Sequence, residues 1–151
     1  MRIRRPKDTG SHRRKPGSPR PTDAELVVLR ALWQGGPSTV RQVHEVLKQK
    51  KDLGYTTVLK ALQVMAEKGL VTRDESERSH VYAPTSTEDQ TQRSLVDDLM
   101  SRAFGGSAAK LVMHALSSRP ASGEELAQIR ELLDRAEADA APSAPMTKGG
   151  Q

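Results

Sequence analysis

Five polar side chains in the stretch 55–68, YTTVLKALQVMAEK, have the chemistry to meet a polyanion. Tyr55, Thr56, Thr57, Lys60 and Gln63 offer hydroxyls, one cation and one amide, the groups that bond phosphate oxygens and the edges of base pairs. Val58, Ala61, Leu62 and Met65 recur at i, i+3, i+4 and i+7. That spacing predicts an amphipathic helix with its apolar stripe against a core and the polar groups on the opposite face. Gly69 follows where a helix ends in a left-handed residue. Periodicity alone fits any surface helix equally well, so the neighbouring elements decide what the polar face does.

Order begins at Thr22. Thr22-x-x-Glu25 is a capping box, and it opens a first helix that buries Leu26, Leu29 and Trp33 with Val28 and Leu32 beside them; Gly35-Gly36-Pro37 stops it. Trp33, the only tryptophan, reads as a core anchor rather than a ligand-stacking residue. Ser38 or Thr39 caps a second helix with Val40, Val43, Val46 and Leu47 inward, and His44 reads as a surface or boundary residue. A basic connection, Lys48 to Gly54, leads to the 55–68 helix with Gly54 at its N-cap. Two short β-compatible runs follow, Leu70 to Arg73 and His80 to Ala83, around a polar turn with an exposed Arg78. Three short helices followed by a hairpin are the layout of a winged helix-turn-helix. In that fold the third helix enters the major groove and the wing lies on adjacent backbone, which supplies the polar face with a partner.

Charge is distributed unevenly. Residues 1–20 hold eight Lys or Arg against Asp8 alone, a net +7, whereas 21–84 carry +1 and 85–151 carry −3. A basic arm on a near-neutral body fits either a strand of cations laid along phosphates or a solubilising leader. With 35% hydrophobic residues and only four aromatic ones, the core must be modest and aliphatic. Zero cysteine removes disulfides and thiolate metal sites, and four scattered histidines form no ligand cluster, so neither a metal nor another cofactor is expected. No apolar run reaches the roughly 20 residues that span a bilayer, and no hydrophobic segment follows the N-terminal arginines; a cytoplasmic chain without a membrane partner is the default expectation.

Beyond Pro84 three more helices are expected. The first, 87–103, is expected to bury Leu95, Val96, Leu99 and Met100; the second, 107–116, presents Leu111 and Val112; the third opens with a capping box, Ser122-x-x-Glu125, and aligns Leu126, Ile129 and Leu133. About fifty residues of this kind bury their apolar faces poorly alone, so an isologous homodimer is the simplest solution, with packing back onto the winged helix as the alternative. The predicted organisation is therefore mainly α: a basic arm, 1–20; a winged helix-turn-helix DNA-binding domain, 21–84; a helical dimerisation domain, 85–138; and an unstructured tail, 139–151.

Several separated motifs in this order, TDAELVVLRALWQGGPSTVRQVHEVL, TTVLKALQVMAEKGLV, VYAP, FGGSAAKLVMHAL and SGEELAQIRELLD, resemble the penicillinase repressor (BlaI/MecI) family of bacterial regulators over 21–136. The resemblance implies a dimeric repressor of dyad operators with TACA/TGTA half-sites, and places Thr56, Thr57, Lys60 and wing residue Arg78 at DNA. Where many members carry an arginine past the middle of the recognition helix, this chain has Val64, and its wing tip reads SERSH in place of a glycine-arginine turn. In penicillin-responsive members a membrane-linked protease cuts between Asn and Phe in the dimerisation domain; the corresponding positions here are His114 and Ala115, so a regulatory protease or sensor protein is a further partner to test. The copper-sensing branch uses C-terminal cysteine pairs, and this chain has no cysteine.

An enzyme is the weakest class, since no nucleophile-base set and no Walker-type phosphate loop occurs. The competing reading is a winged-helix protein-interaction or architectural module with nonspecific DNA affinity from its arm.

Overall fold

The structure, a computed structural model, describes residues 20–141. The predicted arm up to residue 19 and the tail from 142 lie outside the described residues. The elements are α1 (Asp23–Gly35), β1 (Ser38–Thr39), α2 (Val40–Leu47), α3 (Tyr55–Lys68), β2 (Val71–Asp74), β3 (Val81–Pro84), α4 (Glu88–Ala103), α5 (Ala108–Ser118) and α6 (Gly123–Ala140). The chain divides into two compact units, one through Leu99 and one from Met100. The division falls inside α4 rather than at Pro84. Within the first unit, the Trp33 indole N–H donates to the Ser86 carbonyl in the turn before α4 at 2.9 Å, and Arg20 pairs with Asp98 in the second half of that helix.

Reciprocal side-chain capping starts α1, α2, α4 and α6. The Thr22 hydroxyl accepts the Glu25 amide at 3.2 Å while the Glu25 carboxylate accepts the Thr22 amide at 2.9 Å. Thr39 and Gln42 repeat this reciprocal arrangement before α2, Thr87 and Gln90 before α4, and Ser122 and Glu125 before α6. Each pair satisfies two of the amide groups that a helix start leaves without partners. Gly69 ends α3 at φ 86°, and the Leu70 amide beyond it donates back to the Met65 carbonyl at 2.9 Å. An L side chain at that φ is strained, which is why glycine stands there.

The core of the first unit is small and aliphatic. Val28, Leu29 and Leu32 from α1, Val40, Val43 and Leu47 from α2, and Val58, Leu62 and Met65 from α3 meet Leu70, Val71 and Tyr82 of the sheet. Of the side chains assigned inward by periodicity, Val46 lies outside the core, and Leu26, Ala61 and Trp33 are only partly buried against it. Val46 is 41% exposed: relative to Val40, Val43 and Leu47 it is turned about a quarter of the way round the helix, where no element covers it. Trp33 is only partly buried, at the edge of the core, with its N–H spent on Ser86.

The sheet has three strands rather than two, in the order β1-β3-β2 with both pairings antiparallel. Ser38 opposes Tyr82 and Thr39 opposes Val81; across the wing, Arg73 opposes Tyr82 and Asp74 opposes Val81. Both wing strands begin and end one residue later than their side-chain pattern predicts. The third strand, two residues long, carries no alternation that a sequence could display.

α6 continues through Ala140, past the point where the tail was expected to begin. Ala138, Asp139 and Ala140 contain no helix breaker, and the first proline after them is Pro142. None of the side chains in α4, α5 or α6 is buried. Among the described residues no helix is long and apolar enough to cross a membrane.

Candidate nucleic-acid interface

α3 is built to hold one face rigid and leave the other open. Val58, Leu62 and Met65 are buried, whereas Tyr55, Thr56, Thr57, Lys60 and Gln63 are exposed. Val64 and Glu67 share the open side with them, Val64 at 37% exposure. Lys60 makes no ion pair among the described residues, so its ammonium is available to an incoming anion. The N-cap Gly54 supplies no side-chain bond to the first turn of α3, unlike Thr22, Thr39, Ser107 and Ser122 at the other helix starts.

Two contacts clamp the ends of α3. At its start, a ring nitrogen of His44 lies 2.9 Å from the Leu53 carbonyl, and the imidazole meets the Tyr55 ring edge-on at a centroid distance of 5.9 Å. At its end, the Lys68 ammonium donates to both oxygens of Glu25, at 2.8 and 2.9 Å. Glu25 is the one charged residue buried in this core. Burial pushes its carboxyl pKa up, but the Lys68 bond, the Thr22 amide and the Lys68 charge together outweigh that and hold it below the ordinary value. Neither clamp carries a sequence signal, because each joins residues on different helices.

The wing segregates its cations. Arg73 on β2 is engaged: Tyr82 is the first cause of its raised pKa, and Glu75 is its ion-pair partner. Arg78, in the turn between β2 and β3, is exposed and forms no ion pair among the described residues. Asp74 closes the start of that turn by accepting the Ser76 amide at 2.9 Å, a bond that also lowers its pKa. α3 and β2 pack against each other, so the open face of α3 and the wing belong to one body.

The proposed dimerisation residues are all incompletely covered. Leu95, Leu111 and Ile129 are half-buried, while Leu99, Val112, Leu126 and Leu133 are exposed, Leu133 at 57%. Val96, Met113, Leu116 and Leu132 are exposed as well; Val96 belongs to the periodic stripe of α4, and the other three fall outside the expected stripes of α5 and α6. His114 and Ala115 sit in the middle of α5; the His114 ring lies 5.6 Å from that of Phe104, and the Ser118 hydroxyl donates to the His114 carbonyl at 2.8 Å. That peptide bond is helical, so a protease would have to unwind α5 to reach it.

A profile described as penicillinase repressor matches residues 21–135. The chain belongs to the penicillinase repressor family. Among its relatives, the transcriptional regulator BlaI of Mycobacterium tuberculosis is 40% identical over 94 residues, covering 61% of this chain and 68% of that one. The penicillinase repressor of Bacillus licheniformis is 23% identical over 116 residues, covering 77% and 91%. A solution structure of the Bacillus licheniformis BlaI monomeric form in complex with the blaP half-operator is 25% identical, with a TM-score of 0.43, covering 48% of this chain and 88% of that one. As a member of the penicillinase repressor family, this protein is a transcriptional regulator built on a winged helix.

Proposed function

We propose that this regulator is a homodimeric repressor that binds double-stranded dyad operators, each subunit laying α3 in a major groove and its wing on the neighbouring backbone. The observation that carries this is the open side of α3: Thr56, Thr57, Lys60 and Gln63 are exposed opposite a buried stripe, with exposed Tyr55 at the start of the helix. Lys60 and Arg78, without carboxylate partners among the described residues, supply phosphate contacts that set affinity and register. Tyr55, Thr56, Thr57 and Gln63 supply hydroxyl, amide and apolar contacts to base edges. The uncapped amides after Gly54 are further donors for a phosphate at the start of the helix.

Dimerisation follows from exposed apolar area. Leu111, Val112, Leu126, Ile129 and Leu133 in the second unit, and Leu95 and Leu99 on α4, are half-buried or exposed within one chain, and a second copy would supply matching apolar surface. A two-fold dimer would present two α3 helices to half-sites one turn of DNA apart, about 34 Å. Occupied operators exclude polymerase, which is repression. Release then acts on the dimer, through proteolysis, a partner protein or a small ligand at the dimer interface.

Selection of duplexes from a random pool by the full-length chain at near-physiological salt tests this reading. Enrichment of a dyad with half-sites about one turn apart is the expected result. Binding without any enriched motif would refute it and leave an architectural or protein-binding module.

A further inference from the structure

The connection between α2 and α3 spans residues 48–54 and is exposed apart from Leu53, which packs partly on the core. Its first half is held by backbone bonds to the end of α2: Lys50 and Lys51 amides donate to the Leu47 carbonyl at 2.9 and 2.8 Å. At its second half, Gly54 has no side chain with which to fix the direction in which α3 departs. His44 is the group that reaches this point from outside the connection. The Leu53 carbonyl can only accept, so the ring nitrogen 2.9 Å away, Nε2, carries the proton and donates. The same half-buried ring sets its edge against Tyr55, with the planes 80° apart. One imidazole thus touches the residue before the N-cap and the first residue of the helix.

We propose that His44 is a positioning residue for operator recognition, holding the Tyr55 ring and the entry of α3 in the geometry that DNA meets. This rests on α3 being the recognition helix. Tyr55 is 46% exposed, and among the described residues its ring meets one other ring, that of His44. Without that contact the phenol samples several rotamers and must be ordered at the moment of binding, which weakens the complex. His44 touches no base and no phosphate in this role; it acts through Tyr55 and through the Leu53 carbonyl.

The test uses the full-length chain, the duplex that the wild type enriches from a random pool, and a scrambled duplex of equal length. His44→Ala removes a hydrogen bond and an edge-on aromatic contact, so binding to the selected duplex is expected to weaken about tenfold. Binding to the scrambled duplex, which depends on charge, should change less than about twofold. In a Tyr55→Ala background the same substitution should cost less than about threefold, because the group it positions is gone. His44→Gln keeps an N–H for the Leu53 carbonyl but not the ring edge; it should lose about threefold, again only when Tyr55 is present. The Gln variant carries the cycle if the Ala variant does not fold. Equal losses on both duplexes, or a loss that persists undiminished with Tyr55→Ala, would reduce His44 to general support of the fold and overturn the proposal. A wild type that enriches no motif overturns the operator reading itself and this role with it, whereas a specific wild type with uncoupled variants overturns the role of His44 alone.

Discussion

Replacing Lys68 by methionine isolates the clamp at the end of α3. The ammonium bonds both oxygens of a carboxylate whose side chain is only 9% exposed, while the lysine side chain is itself 35% exposed. Breaking a fully buried pair costs about 3–5 kcal/mol and an exposed one about 0–1 kcal/mol, so a half-screened pair that leaves its carboxylate buried should cost about 2 kcal/mol. For a domain of this size that lowers the midpoint of thermal unfolding by roughly 10 °C. Trp33, the only tryptophan in the chain, reports unfolding of the first unit by fluorescence. The pH dependence identifies the cause. In the native protein the Glu25 pKa is held below its ordinary value, so its stabilising contribution is present above the unfolded carboxylate pKa and is lost as pH falls through the lowered native one. In Lys68→Met burial is opposed only by Thr22, and the pKa climbs; the penalty is greatest at neutral pH and is relieved as the carboxylate protonates. The gap between variant and wild type should therefore be widest near pH 7 and narrow below about pH 4. A gap that stays constant down to pH 3 would mean that packing of the lysine stem, not its charge, holds α1 to α3.

Three other perturbations address the interface, the helix stop and the assembly. Lys60→Ala should weaken binding to every duplex and reduce the slope of log affinity against log salt by about one, as read from titrations at several salt concentrations. An unchanged slope with altered base preference would place Lys60 on a base edge instead. Gly69→Ala meets no atom within 4 Å but must hold φ 86°, so denaturant unfolding should show a loss of about 1–2 kcal/mol with an unchanged m-value. Leu126→Glu combined with Leu133→Glu should turn a concentration-dependent dimer into a monomer in sedimentation velocity while Trp33 fluorescence stays native; an unaltered dimer would move the interface elsewhere.

Much of the molecule was legible because its signals are local. Capping boxes at Thr22 and Ser122, the stop at Gly69 and the buried stripe of Val58, Leu62 and Met65 each depend on residues a few positions apart, whose geometry a helix dictates whatever surrounds it. The exposed set on α3 followed from the same periodicity, and the family resemblance from several such blocks in one order. Tertiary structure decided what periodicity leaves open. It chose Val40, Val43 and Leu47 over Val46, drew Ser38 and Thr39 into a third strand, and spent the Trp33 N–H on Ser86. It also brought Lys68 to Glu25 across 43 residues and His44 to the threshold of α3. A lone lysine, glutamate or histidine on a helix has no partner inscribed in its neighbours. Its role is set by which other element packs beside it, and that is a property of the folded core rather than of any stretch of chain.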